Sequence, residues 1–136
     1  MRERGVSRTM IDLQVLVLAA GKSTRIQPVS GGLPKPLLPV QGKSILEHNL
    51  SWLVNYGIQS VWINLHYRPA EIQRVIGTGE SLGLKVSYSL EPEILGTAGA
   101  YKHLQAQWQG TTLVVYGDSL VRFDLGKFLT VHKNTG

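Results

Sequence analysis

Directly after the apolar run Val15-Leu16-Val17-Leu18-Ala19 the chain reads Ala20-Gly21-Lys22-Ser23-Thr24-Arg25, small residues followed by cations and hydroxyls. The chemistry that suits this order is phosphate binding, because small residues leaving the carboxyl end of a strand can offer backbone N–H groups with little side-chain obstruction. Gly21-Lys22-Ser23-Thr24 matches the end of the ATPase loop G-x-x-x-x-G-K-[ST], but that motif needs its first glycine at position 16, where Leu16 stands in mid-strand. A phosphate loop of the ATPase kind is therefore excluded, and phosphate binding by a different loop is not. Arg25 would act as a planar, multi-donor clamp, and Lys35, fixed between Pro34 and Pro36, as a point charge. Lys22 can equally point to water. Asp118 follows Gly117 at the end of the apolar run Leu113-Val114-Val115-Tyr116.

Other chemistries fall away on composition. The 136 residues contain no cysteine, so disulfides, thiolate metal sites and cysteine nucleophiles are excluded. His48, His66, His103 and His132 have no histidine or carboxylate at ligand spacing, which argues against zinc. Trp52, Trp62 and Trp108 read as packing residues, and no stripe of basic and aromatic residues suggests nucleic acid. The net charge of +5 is compatible with a phosphorylated small molecule without selecting it. No apolar run approaches the roughly 20 residues that span a bilayer, and Met1 to Met10 lacks a signal-type core, so a cytoplasmic protein without membrane partners is expected.

The elements that must position these residues follow from hydrophobic period. Apolar runs of strand length alternate with helical patterns, as in a parallel sheet built from β-α units. Val15 to Ala19 is continuously apolar, the mark of a central strand covered on both faces. From Gly21 to Gly42 the prolines at 28, 34, 36 and 39 and repeated glycines predict one long irregular loop, and such loops are often functional. Ser44-Ile45-Leu46-Glu47 has capping-box form, followed by Leu46, Leu50, Leu53 and Val54 at helical spacing up to Gly57. Ser60 to Leu65 predicts a second strand. Pro69 opens a helix with Ile72, Val75 and Ile76 on one face, and Leu84, Val86, Tyr88 and Leu90 alternate as a third strand at an edge. Gly96 to Gln107 predicts a third helix, Leu113 to Tyr116 a fourth strand, and Asp124 the cap of a fourth helix carrying Leu125, Phe128 and Leu129. Residues 1–12, with Arg2, Arg4 and Arg8, are expected to form a flexible basic arm ahead of a single domain over 13–136.

Taken together, Leu18-Ala19-Ala20-Gly21, Lys22-Ser23-Thr24-Arg25, Pro28 and Pro34-Lys35-Pro36-Leu37-Leu38-Pro39-Val40 resemble the signature of the sugar-1-phosphate nucleotidylyltransferases, the NDP-sugar pyrophosphorylases. Leu95-Gly96-Thr97-Ala98-Gly99-Ala100 and Val114-Val115-Tyr116-Gly117-Asp118 add two further marks, so the resemblance runs from about Gln14 to the end. It implies an α/β, Rossmann-like parallel sheet with helices on both faces. It also implies transfer of a nucleotidyl group from a nucleoside triphosphate to a sugar 1-phosphate, with release of pyrophosphate. Catalysis in such enzymes is mainly positioning and charge neutralisation. By the same resemblance Arg25 and Lys35 are the catalytic cations. Leu18, Ala19, Ala20, Gly21, Lys22, Ser23, Thr24, Glu91, Gly96 and Thr97 lie at the nucleotide or sugar, and Asp118 is the Mg2+ ligand. Thr97 is also expected to cap its helix. The Gly96-Thr97-Ala98-Gly99 form resembles members acting on mannose or glucose 1-phosphate, with mannose 1-phosphate and GTP slightly preferred.

The chain departs from the pattern at Ser23, where the family usually has glycine, and at Ser30, where it usually has threonine. The larger departure is length: the family's catalytic domain generally continues with further strands, a lysine for the sugar phosphate and a second metal-binding aspartate. The fold is accordingly expected to be truncated after the fourth β-α unit, leaving an open sheet edge for a homo-oligomer or a complementing chain. The alternative function is a non-catalytic nucleotide-binding or subunit-interaction module, inactive alone.

Overall fold

The structure, a computed structural model, describes residues 13–21 and 31–135; the expected basic arm over 1–12 lies outside them. Strands β1 (Gln14–Leu18), β4 (Ser60–Leu65), β5 (Lys85–Leu90) and β6 (Thr112–Tyr116) form one parallel sheet in the order β5-β4-β1-β6. Strand β1 is central, as its unbroken apolar run predicts. Its successive side chains divide the core: Val15 and Val17 join one cluster while Leu16 and Leu18 join the other. Helices α1 (Ile45–Asn55), α2 (Pro69–Ile76) and α4 (Leu125–Thr135) pack on the first face through Leu46, Leu50, Leu53, Ile72, Ile76, Leu125 and Leu129. Helix α3 (Gly96–His103) covers the second face with Ala100, beside Leu104 and the partly buried Trp62 and Trp108. Each fully buried leucine contributes about 1.5–3 kcal/mol, so α1 is the principal clamp on the sheet. Helices thus lie on both faces of a Rossmann-like α/β sheet. No helix of the described residues is long and apolar enough to cross a membrane.

Helix α1 begins and ends by the devices its sequence announces. Ser44 Oγ accepts from the Glu47 N–H at 3.1 Å, and Glu47 Oε2 accepts from the Ser44 N–H at 2.7 Å. At the other end Gly57, at φ +84°, lets the Gly57 N–H donate to Val54 O and the Ile58 N–H to Leu53 O. These two bonds close a Schellman motif. Asp124 caps α4 as expected, its Oδ1 accepting from the Lys127 N–H at 3.0 Å. Among the described residues strand β5 stands at an edge, as its alternation predicts.

Several expectations are corrected. Strand β1 ends at Leu18, one residue early. The irregular loop contains a short 3-10 turn, Lys35–Leu37, and a hairpin of β2 (Pro39–Val40) and β3 (Lys43–Ser44), closed by Gln41 and Gly42 with both φ positive. Val75 is 37% exposed, because α2 buries only Ile72 and Ile76. The predicted helix over 96–107 gives way after His103 to a 3-10 turn at Gln105–Gln107, which swings Leu104 into the second cluster. Thr97 sits inside the first turn of α3 and not at its cap, which is Leu95.

Candidate functional site

The carboxyl ends of β1, β4 and β6 open into one cleft of about 210 Å3. Of the residues expected at the site, Leu18, Ala20 and Gly21 line it from the end of β1, and Asp118 from the turn after β6. Glu91, Gly96 and Thr97 line it from the segment between β5 and α3. A Cβ built on Gly21 would meet nothing within 4 Å, so the backbone there faces open space. Ala19 differs from its neighbours: it is buried, and its N–H donates to Asn64 Oδ1 at 2.7 Å. That N–H is spent inside the protein. Lys22, Ser23, Thr24 and Arg25 lie outside the described residues.

Lys35 is the first residue of the 3-10 turn, held between Pro34 and the buried Pro36, and reaches the site from there. Its Nζ stands 3.6 Å from Asp118 Oδ2, with both side chains about 40% exposed. A pair this exposed is worth about 0–1 kcal/mol, so it restrains the Asp118 carboxylate only weakly. Two groups that the sequence assigns to different tasks, phosphate and metal, are therefore neighbours. Gly117 stands at the point where the turn after β6 meets β1. Its Cβ would lie 2.8 Å from Leu18 O, and its N–H donates to that same oxygen at 2.8 Å, so glycine here lets the turn close onto β1. Strand β6 is an edge among the described residues, with Tyr116 exposed beside the cleft.

Glu91 is built quite differently from Asp118. It is 4% exposed, its Oε1 accepts from Asn64 Nδ2 at 3.0 Å, and its Oε2 accepts from the Leu95 N–H at 3.3 Å. His66 Nδ1 lies 2.7 Å from the Glu91 carbonyl. Asn64 therefore bridges the end of β1 and the start of the α3 segment through one buried amide. A second buried amide, Asn49 on α1, holds the turn after β6: its Nδ2 donates to Ser119 O at 2.7 Å, and its Oδ1 accepts from the Val121 N–H at 3.0 Å. Sequence reasoning missed both. The signal was present, since each asparagine occupies a position that the local pattern reserves for an apolar side chain, and a buried amide persists only when paired.

Asp118 fits a magnesium-like ion in donor chemistry, because such ions are held by one or two carboxylates together with substrate phosphates. Among the described residues no cluster of three or more His, Cys, Asp or Glu forms a ready-made metal cage.

Comparison with known proteins agrees with the geometry. A family model described as nucleotidyl transferase matches residues 14–136. The chain is 35% identical over 123 residues to a mannose-1-phosphate guanylyltransferase of Mycobacterium tuberculosis, covering 90% of this chain and 34% of that protein. It is 33% identical over 115 residues to a D-glycero-alpha-D-manno-heptose 1-phosphate guanylyltransferase of Campylobacter jejuni, covering 85% and 52%. Among solved structures, HddC from Yersinia pseudotuberculosis complexed with GMP-PN superposes with a TM-score of 0.77 at 31% identity, over 87% of this chain and 53% of that one. The chain thus spans from about a third to about half the length of the relatives it matches.

Proposed function

Because this chain belongs to the nucleotidyl transferase family, we propose that its cleft binds a nucleoside triphosphate and transfers the nucleotidyl group to a sugar 1-phosphate. The observation that carries the reading is the Lys35–Asp118 pair at the mouth of a cleft floored by the small residues Ala20 and Gly21. In this reaction an oxygen of the sugar phosphate attacks the α-phosphorus, the bond to the bridging oxygen breaks, and pyrophosphate leaves with the electron pair. Lys35 turns from Asp118 to the phosphates and neutralises their charge as the leaving group departs. Asp118 holds a divalent ion, Mg2+ by donor type, which when bound polarises the phosphoryl oxygens and offsets charge on the leaving group. Gly21 offers backbone to the phosphates, and Lys22, Ser23, Thr24 and Arg25, which follow it in the sequence, supply further donors and positive charge. The amino end of α3, with Gly96 and Thr97 at the cleft, adds positive dipole potential. Leu18 and Glu91 line the part of the cleft where base and sugar rest, and Ala19 supports it from beneath through its hydrogen bond to Asn64.

Guanine and mannose are the preferred base and sugar, with glucose 1-phosphate and other nucleotides as the competing pairs; the names of the relatives support this reading without deciding it. The reading places the protein in the cytoplasm, with residues 13–136 as one unit and the β6 edge available to a further strand from a second copy or another chain. A second reading, nucleotide binding without turnover, is favoured by one feature. Among the described residues Asp118 is the single carboxylate lining the cleft that is open to solvent, since Glu91 is buried and paired.

Pyrophosphate release by the purified chain, with magnesium, four nucleoside triphosphates and mannose or glucose 1-phosphate, tests both. Release with one pair, lost on removing magnesium and sharply reduced in Arg25→Ala, is the expected result. Triphosphate binding without release selects the second reading, and no nucleotide binding by folded protein sinks both.

A further inference from the structure

We propose that Asn49, a residue of α1 that does not line the cleft, is a positioning residue that sets the direction of the Asp118 carboxylate and thereby the tightness with which a divalent ion is held. The inference rests on the reading of Asp118 given above.

Asn49 lies on the apolar stripe of α1, between Leu46 and Leu53, and is 0% exposed. An apolar side chain would fill that place without a polar cost, yet here the amide is committed entirely to one turn. Its Nδ2 donates to Ser119 O at 2.7 Å and lies 3.4 Å from Tyr116 O, while its Oδ1 accepts from the Val121 N–H at 3.0 Å. These contacts fall on both sides of Asp118 in sequence. Among the described residues the Asp118 side chain has only weak restraints of its own, Lys35 Nζ at 3.6 Å and Ser119 Oγ at 3.4 Å, both on groups open to solvent at least in part. The direction of the carboxylate is therefore inherited from the backbone of the turn. Gly117 ties the near side of that turn to Leu18 O, and Asn49 ties the far side to α1.

The same helix holds the Lys35 segment. The Ile45 N–H donates to Leu38 O at 3.0 Å, and His48 Nε2 lies 2.6 Å from Val40 O. Helix α1 thus fixes both ends of the Lys35–Asp118 distance, one through its first turn and the other through Asn49. Residues that orient a metal ligand from behind commonly change metal affinity about 10- to 100-fold when removed.

The test is a Mn2+ titration of the 15N-labelled full chain, read by paramagnetic broadening of the Gly117, Asp118 and Ser119 amide signals. Asn49→Leu, of similar volume, should raise the Mn2+ midpoint about 10-fold or more. Asn49→Asp keeps the acceptor for Val121 but turns the donor into an oxygen facing Ser119 O, and should shift the midpoint the same way; it decides the matter should Asn49→Leu fail to fold. Leu50→Val weakens the same helix without touching the turn, and its midpoint should match the wild type. A folded Asn49 variant with an unchanged midpoint overturns the inference, as does an equal shift in Leu50→Val. Asp118→Asn separates the two levels. If broadening persists in that variant, or is absent from the wild type, the reading of Asp118 itself has failed; if it is lost while Asn49 variants bind normally, only the role of Asn49 has.

Discussion

The two walls of the cleft each carry one carboxylate at a strand end and one buried asparagine behind it, yet they are built to opposite purposes. On the β4–β5 wall, Asn64 touches Glu91 directly, and both oxygens of that nearly inaccessible carboxylate accept from fixed donors. On the β6 wall, Asn49 touches only the backbone around Asp118, whose own oxygens face solvent and the partly exposed ammonium of Lys35. A carboxylate satisfied by neutral donors is part of the frame, because releasing it would leave unpaired groups behind. A carboxylate oriented through its backbone stays available to an incoming ion or phosphate. Lining the cleft does not by itself separate these roles; the hydrogen-bond partners do.

The contrast predicts a crossed pattern of effects. Asp118→Asn should lower turnover on the order of 10² to 10³-fold, the scale of losing one charge-stabilising group, with the thermal midpoint nearly unchanged. A large drop in that midpoint would mean that Asp118 belongs to the frame after all. Asn64→Leu should do the reverse. It leaves the Ala19 N–H and Glu91 Oε1 without their partner, costing about 1–3 kcal/mol for each unpaired group, so denaturant unfolding should shift strongly while Lys35 and Asp118 are untouched. Ser44→Ala, away from both walls, should cost about 1 kcal/mol through loss of the cap and serves to calibrate the unfolding scale. The smallest effect concerns Tyr88 on β5. Burial raises its phenol above the ordinary value of 10.0, and its hydroxyl donates to Gly77 O at 2.6 Å. Folding therefore favours the neutral phenol: its contribution is complete below pH 10 and is lost as pH rises through the raised value. Stability measured in Tyr88→Phe should accordingly fall less steeply above pH 10 than in the wild type.

The frame was largely readable in advance, and the reason is periodicity. Continuous apolar runs marked the central strand, alternation marked β5 as an edge, and the capping box and Gly57 bounded α1. The β2–β3 hairpin escaped because strands of two residues carry too little pattern to detect, and Pro39 argued against a strand. The early end of α3 escaped because Leu104 satisfies helical spacing and also the sideways turn that buries it. At the site the small residues after β1 and the carboxylate after β6 were legible from their places at strand ends. Asn49 and Asn64 showed only as interruptions of an apolar pattern, and what each holds was not legible because their partners lie 27 to 72 residues away.

By itself the sequence determined the order of the elements, the motifs that place the chain in its family, and the residues with the right chemistry for phosphate and metal. These depend on local spacing, which a chain carries wherever it folds. Only the tertiary structure decided that Glu91 is enclosed and Asp118 offered, that Lys35 meets Asp118, and that one asparagine holds a side chain while the other holds a turn. Those outcomes depend on sheet register and on how α1 packs against the sheet, so they join residues far apart in the chain that no local pattern connects.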